Sequence, residues 1–206
     1  MRDVVFLAAD GSIEQMLRGF FGRPAFPQAL GCGNFTFAPT DDLIVAPGRD
    51  PQVYRLAHEL LRPYLATHAR CVVLLDAAWS GTPGVGAIRE HVSRHLQQTW
   101  VQHAVIVLDP ELEAWVWQDN PHVAGALGGP PEFRQILASS GHWPAGVAKP
   151  EDPKAALDHL RARHGADRSK AVFNRLAARI SVKGCTDPAF LMLRDTLRDW
   201  FPEETL

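Results

Sequence analysis

Three aspartates stand at the ends of short aliphatic runs: Val4 to Ala8 precedes Asp10, Val72 to Leu75 precedes Asp76, and Val105 to Leu108 precedes Asp109. A near-continuous apolar run of this length is the pattern of a strand covered on both faces in a parallel sheet. In such sheets ligands bind outside the carboxyl ends of the strands, where loops are free to vary and helix N-termini point at the site. If the three strands are neighbours, two or three carboxylates converge, and oxygen-only ligation selects Mg²⁺ or Mn²⁺. Each aspartate also has a plainer role open to it, as a turn former or a helix cap.

Further acids lie close in sequence. Glu14 falls one turn beyond Asp10 on an expected helix, so its side chain leans back toward the helix start. It can join an acidic cluster or simply complement the helix dipole. Gly11 permits a tight bend between Asp10 and Ser12 whose amides could take a phosphate oxygen, although one glycine is not a P-loop. The stretch PELEAWVWQDNP brings Glu111, Glu113, Trp115 and Trp117 just after the third run. Glu113 is the stronger metal candidate, because Glu111, beside Pro110, occupies a first-turn position that dipole effects already explain. The two tryptophans are expected to close the lower face of the sheet.

His91 and His95 are four apart on an expected helix, a spacing compatible with zinc. EHVSRH is not HExxH, however, and no third ligand is close in sequence, so a solvated helix face is the expectation. GxSxG, CxxC and GxGxxG are all absent, which removes the usual support for hydrolase-triad, dithiol and dinucleotide chemistry. Basic residues gather from Lys149 to Lys183 but alternate with acids. A plain surface is the default there, and a patch for a nucleic-acid backbone is the alternative.

The elements that must position these residues follow from periodicity. A fourth run, Leu43 to Ala46, is closed by Pro47 and Gly48. Ser12 can cap a helix through Phe21, Asp50 and Pro51 start one through Leu61, and Val85 to Leu96 reads as a third. Strands alternating with helices of this length imply right-handed crossovers. Beyond Asp109 no further aliphatic strand is evident. Helices are expected around Glu111 to Trp117, Glu132 to Ala138, Pro153 to His164, Ser169 to Ile180 and Asp187 to Trp200. In the last, Asp187 caps, Pro188 takes the first position, and Phe190, Leu193, Leu197 and Trp200 share a face. The expected fold is α/β, a Rossmann-like, mainly parallel sheet flanked by helices over residues 1–118, with a helical C-terminal lobe over 119–206.

Composition bounds the rest. The 206 residues carry a formal net charge of -2, with 46% hydrophobic and 21% charged side chains. A chain of this length can hide roughly 70% of its unfolded surface, so neither metal nor disulfide is needed for stability. Cys32, Cys71 and Cys185 lie far apart, which fits a reducing compartment. The apolar run at the N-terminus is too short for a signal segment or a membrane span, so the expected location is cytoplasmic. No global basic field is present, so nucleic-acid contact would depend on local patches or on a partner.

The order of an aliphatic strand with a DGSIE turn, then VVLLDAAWSG, then VIVLDPELEAW, resembles the Toprim-like proteins of bacterial phage-defence gene clusters. The resemblance covers about the first 120 positions, with a looser echo in DPAFLMLRDTLRDWF. Toprim domains of topoisomerases, primases and overcoming-lysogenization-type nucleases place a Glu after the first strand and an Asp-x-Asp after a later one, and bind Mg²⁺ for phosphoryl transfer. Carried onto this chain, the first-strand Glu falls on Asp10, followed by Gly11, and the second acid of that turn on Glu14. The Asp-x-Asp begins at Asp76, and its second member falls on Ala78. Asp for Glu shortens the reach by one methylene, and Ala78 cannot ligate metal, a loss that Glu113 or Asp109 would have to compensate.

The resemblance implies a Toprim-like fold and a nuclease of an anti-phage system, cutting DNA or RNA with Mg²⁺ or Mn²⁺. Asp10, Asp76, Glu113 and Asp109 would hold metal, and Glu14 and Asp76 would act in catalysis. The alternative is a catalytically degenerate subunit that binds nucleic acid or a partner ATPase or nuclease, with Trp79, Trp115, Trp117 and Trp143 as contact anchors. A nucleotide phosphohydrolase is a third reading. The expected partners are nucleic acid, a larger ATPase or other defence subunit, and a second copy of the chain in a homodimer; a membrane is not among them.

Overall fold

The computed structural model describes residues 1–118, 120 and 122–203; Asp119, Pro121 and residues 204–206, all within the expected lobe, lie outside it. Strands β1 (Arg2–Ala8), β2 (Leu43–Val45), β3 (His68–Asp76) and β4 (Gln102–Leu108) form one parallel sheet in the order β2-β1-β3-β4. Ala8 sits opposite both Val45 and Leu74, and Asp76 opposite Leu108, so the carboxyl ends share one edge. Val4 to Ala9 and Cys71 to Leu75 are completely buried, as strands covered on both faces must be.

The helices are α1 (Gly11–Phe21), α2 (Phe26–Leu30), α3 (Pro39–Asp42), α4 (Arg49–Leu61), α5 (Val85–Leu96), α6 (His122–Leu127), α7 (Phe133–Ser139), α8 (Pro153–Arg163), α9 (Ala171–Arg179) and α10 (Pro188–Trp200). Right-handed crossovers put α1 on one face of the sheet and α4 and α5 together on the other, and α4 does pack against α5. The C-terminal helices close over the α1 side, with α9 against α1 and α10 against β4. Gly19 makes the α1–α9 approach feasible, since a Cβ there would lie 2.2 Å from the Asn174 carbonyl oxygen. No helix of the described residues is long and apolar enough to cross a membrane.

Local details depart from the sequence expectations in three places. Asp10, not Ser12, caps α1: it is extended at φ -149° and ψ 175°, and its carboxylate accepts from the Ser12 and Ile13 amides at 2.7 and 3.0 Å. The expected helix from Glu111 to Trp117 is only a 3₁₀ turn, Leu112–Trp115. Its entry is pinned to the end of β3, where the Pro110 carbonyl accepts from the Ala77 and Ala78 amides at 3.0 and 2.9 Å.

The tryptophans do not close the lower face of the sheet; they build the lobe. The Trp117 indole N–H donates to the Pro153 carbonyl at 2.8 Å, and its ring lies 5.8 Å from Trp143 and 6.2 Å from Phe133. Trp115 donates to Asp187 at 3.0 Å and meets Phe190 edge-on. Trp117 and Trp143, at 0% and 1% exposure, cannot be contact anchors for a partner.

The opposite, amino edge of the sheet is locked by a buried charge. Asp42, fully buried before β2, accepts from Arg2 Nε and Nη2 at the start of β1, from the Ala38 amide at 2.6 Å and from His68 Nε2 at 3.1 Å at the start of β3. Burial, the largest influence, raises the affinity of Asp42 for a proton. The hydrogen bonds from Arg2, Ala38 and His68 together outweigh it, so its pKa falls below the usual carboxylate value.

Candidate active site

The strand order creates a crevice at one place. From β1 the chain crosses to β2 on one side, and from β2 it returns past β1 to β3 on the other, so the winding reverses between β1 and β3. Ligands of open α/β sheets bind outside such a switch point. Asp10 follows β1 and Asp76 ends β3, which places one acid on each side of the crevice.

Four carboxylates act on one another here. The backbone amide of Asp76 donates to Asp50 Oδ1 at 2.8 Å, tying the first turn of α4 to the end of β3. Asp76 Oδ1 in turn accepts from the Leu112 amide at 2.9 Å, which draws the Glu113 turn against the same point. Asp76 keeps part of its surface open to the crevice but is packed round by protein. That burial, and then the charges of Asp50, Glu113 and Asp10, push its pKa well above the usual carboxylate range. Burial also raises Asp50, with the Asp76 amide opposing and the Asp10 charge adding. Glu113 is raised by burial and by Glu111, with Lys154 and Arg161 opposing.

Cations from the lobe rim the cluster. Lys154 Nζ lies 3.0 Å from Glu111 Oε2, and its pKa is raised by that hydrogen bond and by the charges of Glu111, Glu113 and Asp76. Lys170, just before α9, leans over the first residue of α1: its Nζ is 2.8 Å from where a Cβ on Gly11 would stand. Among the described residues Lys170 makes no ion pair.

The structure therefore brings Asp10, Asp76 and Glu113 to one edge and adds Asp50, which the sequence reading used only as a helix start. The available signal was the rule that selected the others, an acid following an aliphatic strand, since β2 ends at Val45 just before the turn that reaches Asp50. Glu14 is held by Arg18 Nε at 2.8 Å one turn along α1. Asp109 is exposed beside the cis Asp109–Pro110 bond, and no hydrogen bond ties it to the crevice among the described residues. Ala78 is exposed, with its amide on Pro110. Glu111 is 8% exposed and paired with Lys154, which accounts for it better than a helix dipole.

Among the described residues no group of three or more His, Cys, Asp or Glu side chains is placed so that it could hold a metal ion. The donor chemistry nevertheless suits Mg²⁺ or Mn²⁺. Asp10 spends Oδ1 on the Ser12 and Ile13 amides, Asp50 spends Oδ1 on the Asp76 amide and Asp76 spends Oδ1 on the Leu112 amide, and among the described residues no other residue donates to their Oδ2 atoms. Mg²⁺ commonly takes only one or two carboxylates and fills the rest of its sphere with water. Compared with known proteins, the chain matches no family model, no curated protein and no solved structure.

Proposed function

We propose that this chain is a divalent-cation-dependent phosphodiesterase that cuts DNA or RNA at the β1/β3 crevice. The observation that carries this reading is the gathering of Asp10, Asp50 and Glu113 around Asp76 at the carboxyl edge where this fold binds ligands, with Lys154 on its rim. Bound Mg²⁺ or Mn²⁺ would neutralise phosphate charge and lower the pKa of a water nucleophile.

Asp76 and Asp10 would hold such an ion, with Glu113 of the 3₁₀ turn as a further carboxylate. Asp50 fixes Asp76 through its backbone amide. Lys154 and Lys170 supply cationic donors for the non-bridging phosphate oxygens and so orient the strand. The pairing of Glu14 with Arg18 favours a positioning role on α1 over a direct one. The resemblance to Toprim-like phage-defence proteins supports placing the activity in an anti-phage system beside an ATPase or nuclease partner.

Ala78 favours a second reading, a subunit that binds nucleic acid or a partner without cutting. One assay separates the two: incubation with single-stranded DNA, double-stranded DNA and tRNA, with Mg²⁺, Mn²⁺ or chelator, beside Asp76→Asn. Cleavage that needs the cation and disappears in the variant supports the nuclease. Nucleic-acid binding without cleavage, equal in both proteins, overturns it in favour of the second reading.

A further inference from the structure

A hollow of about 490 Å³ opens where α1, α2 and α9 end beside α10. Arg23, Lys183, Arg194 and Arg198 line it, and no Asp or Glu does. A chain of net charge -2 thus gathers four cations in one concavity. A second hollow of about 670 Å³, again with no acid in its lining, adjoins the first through Arg23 and reaches back along α1 to Arg18. The 11 residues of α1 rise by 1.5 Å each, so this end of the helix stands about 16 Å from its start at the carboxylate crevice.

Two of the guanidinium groups are held in place by main-chain carbonyls. Arg23 donates through Nε to the Ala177 carbonyl at 2.5 Å and through Nη2 to the Ile180 carbonyl at 2.6 Å. Arg198 donates through Nε to the Leu30 carbonyl at 2.6 Å, and Gly31 leaves it room, since a Cβ there would lie 2.6 Å from Arg198 Nη2. These bonds satisfy the ends of α9 and α2, which is their structural role. They neutralise no charge and leave the other N–H groups of each fork unspent. Among the described residues Arg23 and Lys183 make no ion pair. Burial lowers the pKa of Arg23, and no carboxylate offsets that effect. The exposed Asp195 accepts from Arg194 Nε at 2.8 Å and lies 3.9 Å from Arg198 Nη1, one acid beside four cations.

We infer that Arg23, Lys183, Arg194 and Arg198 form a groove that holds the phosphate backbone of a nucleic-acid strand, at a point apart from the crevice. Guanidinium forks match phosphate oxygens two at a time, and forks already fixed by carbonyls lose little freedom on binding. No aromatic ring lines the groove, so no base stacks there and the contact is blind to sequence. Val182 and Ala29 are its only hydrophobic side chains, too small to anchor a protein partner. A ligand held by charge alone is a polyanion, and a backbone of repeating phosphates is the polyanion that fits a nucleic-acid enzyme. The inference thus deepens the reading of the chain as one that acts on nucleic acid. A strand leaving the crevice along α1 meets Arg18, then Arg23, then the arginines of α10.

The test titrates the full chain with a fluorescein-labelled oligothymidylate in the presence of chelator, over a range of salt concentrations. Replacing Lys183→Gln and Arg194→Gln together removes no main-chain anchor. The double variant should bind at least tenfold more weakly, and its slope of log K against log salt should fall by about 0.7 for each lost contact. Arg55→Gln, on the exposed side of α4 across the sheet, should leave both quantities unchanged. In the unmutated chain the oligonucleotide should shift the backbone amide resonances of residues 181–184, a readout that needs no variant to fold. Absence of salt-dependent binding, binding indifferent to the double variant, or shifts confined to the crevice overturns the assignment. Equal affinity for poly-glutamate of matched charge, or binding of inorganic tripolyphosphate but not of the oligonucleotide, overturns it as well. Cleavage plays no part in this readout, so the groove and the nuclease reading can fail separately.

Discussion

The amide of Asp76 donates to the Asp50 carboxylate at 2.8 Å, so the residue that ends β3 is gripped by the residue that opens α4. Charge and position can therefore be separated at Asp50. Asn keeps an oxygen acceptor for the amide, whereas Ala removes it. Asp50→Asn should retain most of the cleavage activity, and Asp50→Ala should lower kcat on the order of tenfold or more through misplacement of Asp76. Equal losses in the two variants would assign the role of Asp50 to its charge.

Asp76 itself should stabilise the fold when neutralised. Burial and the charges of Asp50, Glu113 and Asp10 raise its folded pKa above the unfolded value. Its favourable contribution is then full below the unfolded pKa and is lost as pH rises through the folded one. At neutral pH without divalent ions, Asp76→Asn should melt at a higher temperature than the parent, and the gain should vanish in acid below the unfolded carboxylate range. A variant that melts lower at pH 7 would show that the carboxylates do not crowd one another.

At the other edge the sign reverses. Hydrogen bonds from Arg2, Ala38 and His68 hold Asp42 below its usual pKa despite burial. The stability it lends is present above the unfolded pKa and is lost as pH falls through the folded one. Asp42→Ala should cost on the order of 3 kcal/mol at pH 7, the lower end for a broken buried pair because Arg2 can turn to water. Denaturant titration at pH 7 and pH 3 reads both the size and the convergence of the two proteins in acid.

Helix docking can be probed with two glycines. Gly19→Ala drives a methyl into the Asn174 backbone and should cost about 1–3 kcal/mol by prising α9 from α1. Gly86→Ala, in α5 with nothing within 4 Å of the new methyl, should gain about 0.5–1 kcal/mol from helix propensity. Paired thermal melts check the contrast.

The strands were legible because a strand covered on both faces must be apolar throughout, and α10 because Asp187 and Pro188 start it in the expected way. Segments held by tertiary bonds were not. The PELEAW turn stops short because the end of β3 takes up its polar groups, and α2, α3 and α6 are too short to show a period. Asp50 was hidden by having two roles, since an acid before a proline reads as a helix start whatever it touches. Trp117 and Trp143 looked like surface anchors until Phe133 and Pro153 enclosed them.

The most direct measurement is a crystal of the chain soaked in Mn²⁺, with the anomalous difference map read at the crevice. A peak is expected between Asp10 and Asp76, within ligand distance of their carboxylates, and it should be lost in Asp76→Asn. A crevice that stays empty at saturating Mn²⁺, with the four carboxylates unmoved, would contradict it.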